Sequence, residues 1–175
     1  MSGGTSEFVS VSAKEFDFET RLLGGTKDLN AGQVIDRVGV YMGFPFPAGA
    51  HIEAAALLNT KKIPKKRLSV DGLEFNLSGL ENMAKKLYDE TADSALTSAF
   101  VLDYILRSLS AVVEEYESLH GHKSFVFAGG VMCNSIIKRG LSSRFDAYFA
   151  EPAMSADNAV GIAALALRRY KTEKI

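Results

Sequence analysis

Two glycine-containing turns carry the residue types best suited to bind a phosphate or a nucleotide. In the first, the apolar run 124–128 ends in Gly129-Gly130 and is followed by helical spacing. A strand that ends in two glycines and leads into a helix brings backbone N–H groups and a helix N-terminus to the turn, where they can hold a phosphate. A tight turn without a ligand fits the same pattern equally well. Asn134, further along, has an amide that can bond a ribose or a base, although the local pattern favours a helix cap.

The second turn is Ser2-Gly3-Gly4-Thr5, beside the first predicted strand. Its small residues allow the backbone to wrap around phosphate oxygens, as in the Gly129-Gly130 turn. Alone, this pattern also fits a disordered terminus. The sequence therefore offers two candidate phosphate-binding turns whose proximity only a fold can establish.

The carboxylates near these turns do not form an obvious catalytic pair. Asp28 and Asp36 are eight residues apart and would not share one face of a helix. Asp157 directly precedes an apolar helix predicted from Asn158, so a helix cap or first-turn acid is favoured over a metal ligand.

The histidines and the cysteine predict neither a zinc centre nor a thiol nucleophile. His51, His120 and His122 lack the i, i+4 spacing of a helical metal pair and are interpreted as exposed. Cys133 is the only cysteine, and we expect a small buried residue behind the Gly-Gly turn instead of a reactive thiolate.

Composition predicts a globular domain without a general attraction for polyanions. The 175 residues are 47% apolar and carry a formal net charge of −1, which excludes a broad electrostatic field for nucleic acid or anionic membranes. The basic run 61–67 is interpreted as a solvated loop in preference to an RNA-contact patch, because no aromatic residue is interleaved to stack on bases. We see no signal peptide and no apolar run of membrane length, and we expect a cytoplasmic location.

The periodicity of the chain predicts an α/β protein. Strands are expected at 7–12, 15–23, 68–77, 124–128 and 147–149. Helices are expected at 31–43, 52–58, 80–88, 94–119 and 158–170, with Ser78 as the cap of the helix at 80–88. A further helix is expected after Gly130 and through Ile136 and Ile137. The alternation in the last third favours a largely buried sheet.

The order of the motifs resembles the second half of the TsaD family, once called O-sialoglycoprotein endopeptidase. Ser2-Gly3-Gly4-Thr5 is similar to the family's Ser-Gly-Gly-His-Thr with the histidine absent. The segment 28–37 resembles its acidic loop and helix, and 42–49 resembles Leu-Gly-x-x-Tyr-Pro-Gly-Gly with Ala48 in place of a glycine. The segment 75–80 is similar to the family's Phe-Ser-Phe-Ser-Gly-Leu, 128–134 is similar to Ala-Gly-Gly-Val-x-x-Asn, and 156–159 is similar to Thr-Asp-Asn-Ala.

This resemblance implies an actin-like ATPase fold (the ASKHA, ribonuclease H-like class), with a mixed sheet flanked by helices. Residues 1–175 would form its single second lobe, with the N-terminal lobe absent. The implied reaction joins a threonylcarbamoyl group, delivered as threonylcarbamoyl adenylate, to an adenosine of transfer RNA. The implied ligand is that adenylate or ATP, and the implied nucleotide-binding residues are Ser2, Gly3, Gly4, Asp36, Gly49, Gly129, Gly130 and Asn134.

The resemblance also implies parts that this chain does not contain. Asp157 would be one ligand of an iron or zinc ion whose two histidine ligands lie in the family's first lobe, so the metal site is incomplete here. The expected partners are the missing lobe, a TsaB-like protein or a second copy, and transfer RNA for the complete protein, with no membrane. Alone, the chain is expected to be inactive. The alternatives are a non-catalytic assembly or dimerisation module and, following the old name, a metalloendopeptidase.

Overall fold

The chain opens with an antiparallel hairpin. The computed structural model describes residues 1–14, 17–155 and 159–172. Strand β1 (Glu7–Ala13) pairs with β2 (Phe18–Thr26), with Val9 opposite Leu22 and Val11 opposite Thr20. The predicted opening hairpin is confirmed. Its outer face is apolar, since Val9, Val11 and Leu22 are all exposed.

The single strand predicted at 68–77 is wrong. Two short strands occur there, β3 (Val70–Asp71) and β4 (Glu74–Phe75), and they pair antiparallel around Gly72. Gly72 has a φ of 56°, a left-handed value that glycine adopts readily, so Asp71-Gly72 folds the chain back instead of extending it. Strand β4 then runs parallel to β2 and completes a four-stranded sheet in the order β1-β2-β4-β3.

The second sheet is separate. It contains only β5 (Ser124–Phe127) and β6 (Asp146–Phe149), which pair parallel. Within the described residues, an apolar groove of about 480 Å³ separates β1 from β5, and no ladder joins the two sheets. The α/β class with a mixed sheet and flanking helices is confirmed by the four-stranded sheet. The largely buried sheet expected in the last third is not found, because only Phe125 is buried in the separate pair β5 and β6.

Seven α-helices and one 3₁₀ helix (Gly130–Cys133) occur in the described ranges, and all except the short helix at Pro152–Ser155 lie close to predicted positions. The α-helices are α1 (Ala31–Tyr41), α2 (Gly49–Leu57), α3 (Ser78–Thr91), α4 (Ser94–His120), α5 (Ser135–Ser142), α6 (Pro152–Ser155) and α7 (Ala159–Thr172). The second helix begins three residues earlier than expected, and Ser78 is the first residue of α3 instead of its cap. Asp28 holds that helix end, because its carboxylate accepts hydrogen bonds from the N–H groups of Leu77 (2.7 Å) and Ser78 (3.1 Å).

Helix α4 is the centre of the core. It packs against α2, α3 and α5 and buries residues on most of its circumference, among them Phe100, Leu102 and Ile105. Its length and composition would allow it to cross a membrane, yet 78% of its most apolar window is buried inside the fold. Such burial is typical of the core helix of a folded domain.

Candidate functional site

One cleft brings together most of the residues that the resemblance implied for nucleotide binding. It has a volume of about 410 Å³ and lies between the chain start, α1, the start of α2 and the turn before α5. Six of the eight implied residues line it: Ser2, Gly3, Asp36, Gly49, Gly130 and Asn134. They come from four segments spread over the chain, so the tertiary fold, and not local sequence, creates the site.

The Ser-Gly-Gly turn is held against the first turn of α1. The Ser2 hydroxyl accepts hydrogen bonds from the N–H groups of Gly4 and Thr5, each at 3.1 Å, and the Gly32 N–H donates to the Ser2 carbonyl at 3.1 Å. A Cβ at Gly32 would lie 2.6 Å from the Gly3 nitrogen, so only glycine allows this close approach. Gly32 was missed by the sequence reasoning.

Asp36 fastens the loop that forms the opposite side of the cleft. Its Oδ1 accepts a hydrogen bond from the Ala48 N–H at 2.8 Å. Its Oδ2 has no hydrogen bond within the described residues, and Asp36 is among the residues that line the cleft. A carboxylate oxygen in this position can accept a hydrogen bond from a sugar hydroxyl.

Asn134 has the capping role that its local sequence favoured. Its Oδ1 accepts hydrogen bonds from the N–H groups of Ile136 and Ile137, each at 3.1 Å, and it forms the N-cap of α5. The side-chain nitrogen has no hydrogen bond within the described part of the chain. Because Asn134 also lines the cleft, the two interpretations are compatible: the oxygen caps the helix and the nitrogen is a donor for a ligand.

Glu53 is the acidic residue of the cleft that the sequence reasoning missed. Its Oε1 accepts a hydrogen bond from the Ser135 N–H at 2.8 Å, so it joins α2 to the start of α5. It follows Gly49 by four residues, and this i, i+4 spacing places both on one face of α2. That spacing was the available signal.

The electrostatics of the cleft divide it into two ends. Helices α1, α2 and α5 each begin at the cleft, through Gly32, Gly49 and Asn134, and their N-termini favour a negative group. Asp36 and Glu53 are anionic and favour hydroxyl donors over phosphate. A phosphate therefore fits best beside residues 2–3 and 32, with a sugar beside the two carboxylates.

Gly4 and Gly129 do not line the cleft but lie next to residues that do. The Gly4 carbonyl accepts a hydrogen bond from the Asn30 side chain at 3.0 Å. Gly129 has a φ of 102°, and a Cβ there would lie 2.3 Å from the Met1 carbonyl oxygen. A larger residue at 129 would therefore displace the chain start from the turn at 129–130, whereas a Cβ at Gly4 would meet only the Ser2 Oγ at 3.9 Å.

The predictions for the cysteine, the three histidines and Asp157 have different outcomes. Cys133 lines the cleft and is exposed, so the prediction of a buried cysteine is wrong. The three histidines are exposed, as expected. Asp157, the implied metal ligand, lies outside the described residues. In the ranges that the structure describes, no three His, Cys, Asp or Glu side chains form a group that could hold a metal ion.

An α/β protein whose glycine turns and helix N-termini meet at one cleft belongs to the class that can hold a phosphorylated sugar or nucleotide. Comparison of the sequence with known proteins identifies the family. The sequence model of tRNA N6-adenosine threonylcarbamoyltransferase, TsaD, matches residues 1–164, and the chain belongs to this family.

The relatives with this name share about a third of their residues with the chain. The protein of Streptococcus suis is 30% identical, and the match covers 100% of this chain and 54% of the relative. That of Desulfotalea psychrophila is 31% identical over 97% of this chain and 53% of the relative. That of Thermus thermophilus is 31% identical, with 86% and 48% covered. The chain spans about half the length of the curated relatives it matches.

Proposed function

We propose that this chain is the nucleotide-binding half of a tRNA adenosine threonylcarbamoyltransferase and that its cleft holds the adenylate part of ATP or of threonylcarbamoyl adenylate. The observation that carries the proposal is the convergence of Ser2, Gly3, Asp36, Gly49, Gly130 and Asn134 on one cleft of about 410 Å³. Its relatives bear the name of this activity.

The two ends of the cleft suggest how an adenylate would bind. The phosphate would lie beside Gly3 and the N-terminus of α1, where backbone N–H groups and the helix dipole stabilise negative charge. The ribose hydroxyls would donate to Asp36 Oδ2 and to Glu53, and the Asn134 amide nitrogen would donate to the base or the sugar. The backbone N–H donors thus match the phosphate of an adenylate, and the two carboxylates match its ribose hydroxyls.

The proposal assigns the remaining chemistry to a second half of the protein. The actin-like fold of the family closes two lobes over a nucleotide, and this chain would be the second lobe, working in the cytoplasm. Asp157 would contribute one ligand to an iron or zinc ion, and the partner half would supply the others. We expect no transfer reaction from this chain alone.

A non-catalytic assembly role is the second candidate, favoured by the exposed apolar residues of both sheets. Val9, Val11 and Leu22 on the hairpin and Val126 on β5 are between 44% and 77% exposed. Exposed apolar patches of this kind mark interaction surfaces. A second copy or a TsaB-like protein would then cover them. No observation favours the metalloendopeptidase.

Calorimetric titration with ATP and with ADP tests the leading proposal. Because Asn134 Oδ1 caps α5, replacement by alanine would confuse a lost cap with a lost ligand contact. Asn134→Ser keeps a capping oxygen and removes the amide donor, so we expect unchanged melting and at least roughly fivefold weaker ATP binding.

Asn59→Ser is the matched control, since Asn59 bonds the backbone of Lys61 away from the cleft. It should bind ATP as the unmodified chain does. If the unmodified chain releases no heat with either nucleotide while remaining folded, the nucleotide-binding function is wrong and the assembly role is favoured.

A further inference from the structure

The segment 61–67, called here the basic loop, contains five Lys and Arg residues and no acidic residue. Lys61 and Lys65 form ion pairs with Asp93 (2.7 Å) and Asp103 (2.6 Å). The other three cations, Lys62, Lys66 and Arg67, are exposed and have no carboxylate partner within the described ranges. The loop therefore carries a local charge of about +3 on a chain whose formal net charge is −1.

The backbone of the basic loop is fixed to the core. The Arg107 guanidinium donates to the Lys66 carbonyl at 3.2 Å, and the Tyr104 hydroxyl donates to the Arg67 carbonyl at 3.3 Å. The Ser69 N–H in turn donates to the Tyr104 hydroxyl at 3.1 Å. Tyr104 is only 2% exposed, so the anchor is part of the core. A solvated loop needs no such anchors, whereas a binding loop benefits because less ordering is left to occur when the partner binds.

A polar pocket adjoins the loop at Arg67. It has a volume of about 380 Å³, and its polar lining comes from Arg67, Ser69, Asp71 and Asn76. These side chains offer donors and acceptors for the edge of an unstacked base. An anionic membrane surface would require exposed apolar side chains to insert beside the cations, and both Ile63 and Leu68 are packed against the core.

We propose that the basic loop and this pocket bind a single-stranded stretch of RNA. Lys62, Lys66 and Arg67 contact successive phosphates, and a base enters the pocket beside Asn76. The inference rests on the proposed function, because the relatives' name gives transfer RNA as the substrate. Helix α2 begins at the cleft with Gly49 and its nine residues span about 13 Å before the chain reaches the loop.

Fluorescence anisotropy with a labelled transfer RNA tests the proposal across a salt series. The triple variant Lys62→Gln, Lys66→Gln and Arg67→Gln should raise Kd at least roughly tenfold near 0.15 M salt and reduce the slope of log K against log salt by about 2. The matched control carries the same loss of charge through Arg21→Gln, Lys123→Gln and Lys171→Gln, three exposed cations outside the loop that likewise have no carboxylate partner within the described ranges. The control should keep both the affinity and the slope.

The outcomes separate this inference from the proposed function. Equal Kd and slope in the two triple variants, or no binding of transfer RNA by the unmodified chain, would overturn the RNA site. Tighter binding to anionic phospholipid vesicles than to transfer RNA would also overturn it. ATP titration of the loop variant should match that of the unmodified chain, because the loop lies outside the cleft. If the unmodified chain does not bind ATP, the proposed nucleotide-binding function of the cleft is wrong, and the RNA site is judged by the anisotropy data.

Discussion

Helices α4 and α7 are both rich in apolar residues, yet they lie in opposite environments. Helix α4 has fourteen buried positions, whereas residues 159–171 of α7 are all exposed. Helices α1, α2, α3 and α5 pack against α4, whereas α7 approaches the body where the Arg168 guanidinium lies 5.2 Å from the Phe18 ring. Apolar composition therefore does not by itself determine whether a helix is buried, because burial also requires neighbouring elements that cover it.

The same contrast separates the two sides of the molecule. On the helical side, α1–α5 form a closed core that carries the cleft. On the other side, the outer face of the hairpin exposes Val9, Val11 and Leu22, and α7 exposes its own apolar residues nearby. Sheets in α/β proteins normally have both faces covered. Stability should therefore reside in the helical side, and assembly contacts in the other.

The largest expected effect lies in α4. Phe100 is 1% exposed, and Phe100→Ala should lower the free energy of unfolding by about 3–5 kcal/mol because it leaves a cavity. Urea unfolding followed by circular dichroism measures the change. A loss below about 1 kcal/mol would mean that the helical core is not the main source of stability.

The next effect concerns the contact between α1 and the cleft loop. An added Cβ at Gly39 would lie 2.3 Å from the Ala48 Cβ, so Gly39→Ala should overpack this contact and cost about 1–3 kcal/mol. Without the clash, the same change would stabilise α1 by about 0.5–1 kcal/mol, because alanine favours helix. A lower melting temperature for Gly39→Ala would therefore support the clash with Ala48, and a higher one would contradict it.

Ala48→Gly supplies the second test of this contact. It removes the opposing methyl group, so the double variant should recover most of the stability lost by Gly39→Ala. Ala48 also donates its N–H to Asp36 at the cleft, so ATP affinity should fall in Gly39→Ala and return in the double variant. Additive effects of the two changes would contradict a direct contact.

The sequence predicted the elements whose patterns are local. The hairpin, α1, α4 and the strand before Gly129 each follow from alternation, helical periodicity or glycine punctuation within one segment. The motif resemblance then named six residues that do line the cleft. Local pattern and motif order were sufficient for these features because each is encoded by neighbouring residues.

The errors occurred where distant residues decide the structure. Gly32 matters because Ser2 and Gly3 lie against it, and Glu53 matters because it accepts from the Ser135 N–H. The Gly32 contact has no signature in its own segment, and the spacing of Glu53 from Gly49 does not reveal that its partner is Ser135. The exposure of Cys133 and the separation of β5 from the hairpin likewise depend on how whole elements pack.

A smaller effect is expected where Asp28 holds the start of α3. Burial alone would raise the pKa of this carboxyl, but hydrogen bonds from the Leu77 N–H, the Ser78 hydroxyl and the Leu29 N–H lower it to about 2. A lowered folded-state pKa stabilises the protein above the ordinary value of 3.8 and loses this contribution as the pH falls towards 2.

Asp28→Asn measures that contribution. Asp28 is exposed, so solvent screening reduces the expected loss to about 1 kcal/mol at pH 7. The difference between the variant and the unmodified chain should shrink as the pH is lowered from 4 to 2.5. A difference that stays constant over this range would show that ionisation of Asp28 is not the cause.

The smallest effect is expected in α7, and measuring it tests directly whether α7 is exposed where α4 is buried. Ile162 is 60% exposed, so Ile162→Ala should change the free energy of unfolding by no more than about 0.5 kcal/mol, and alanine's helix preference favours a slight gain. A loss above about 1 kcal/mol, together with a dependence of melting temperature on protein concentration, would mean that α7 is buried between copies of the chain.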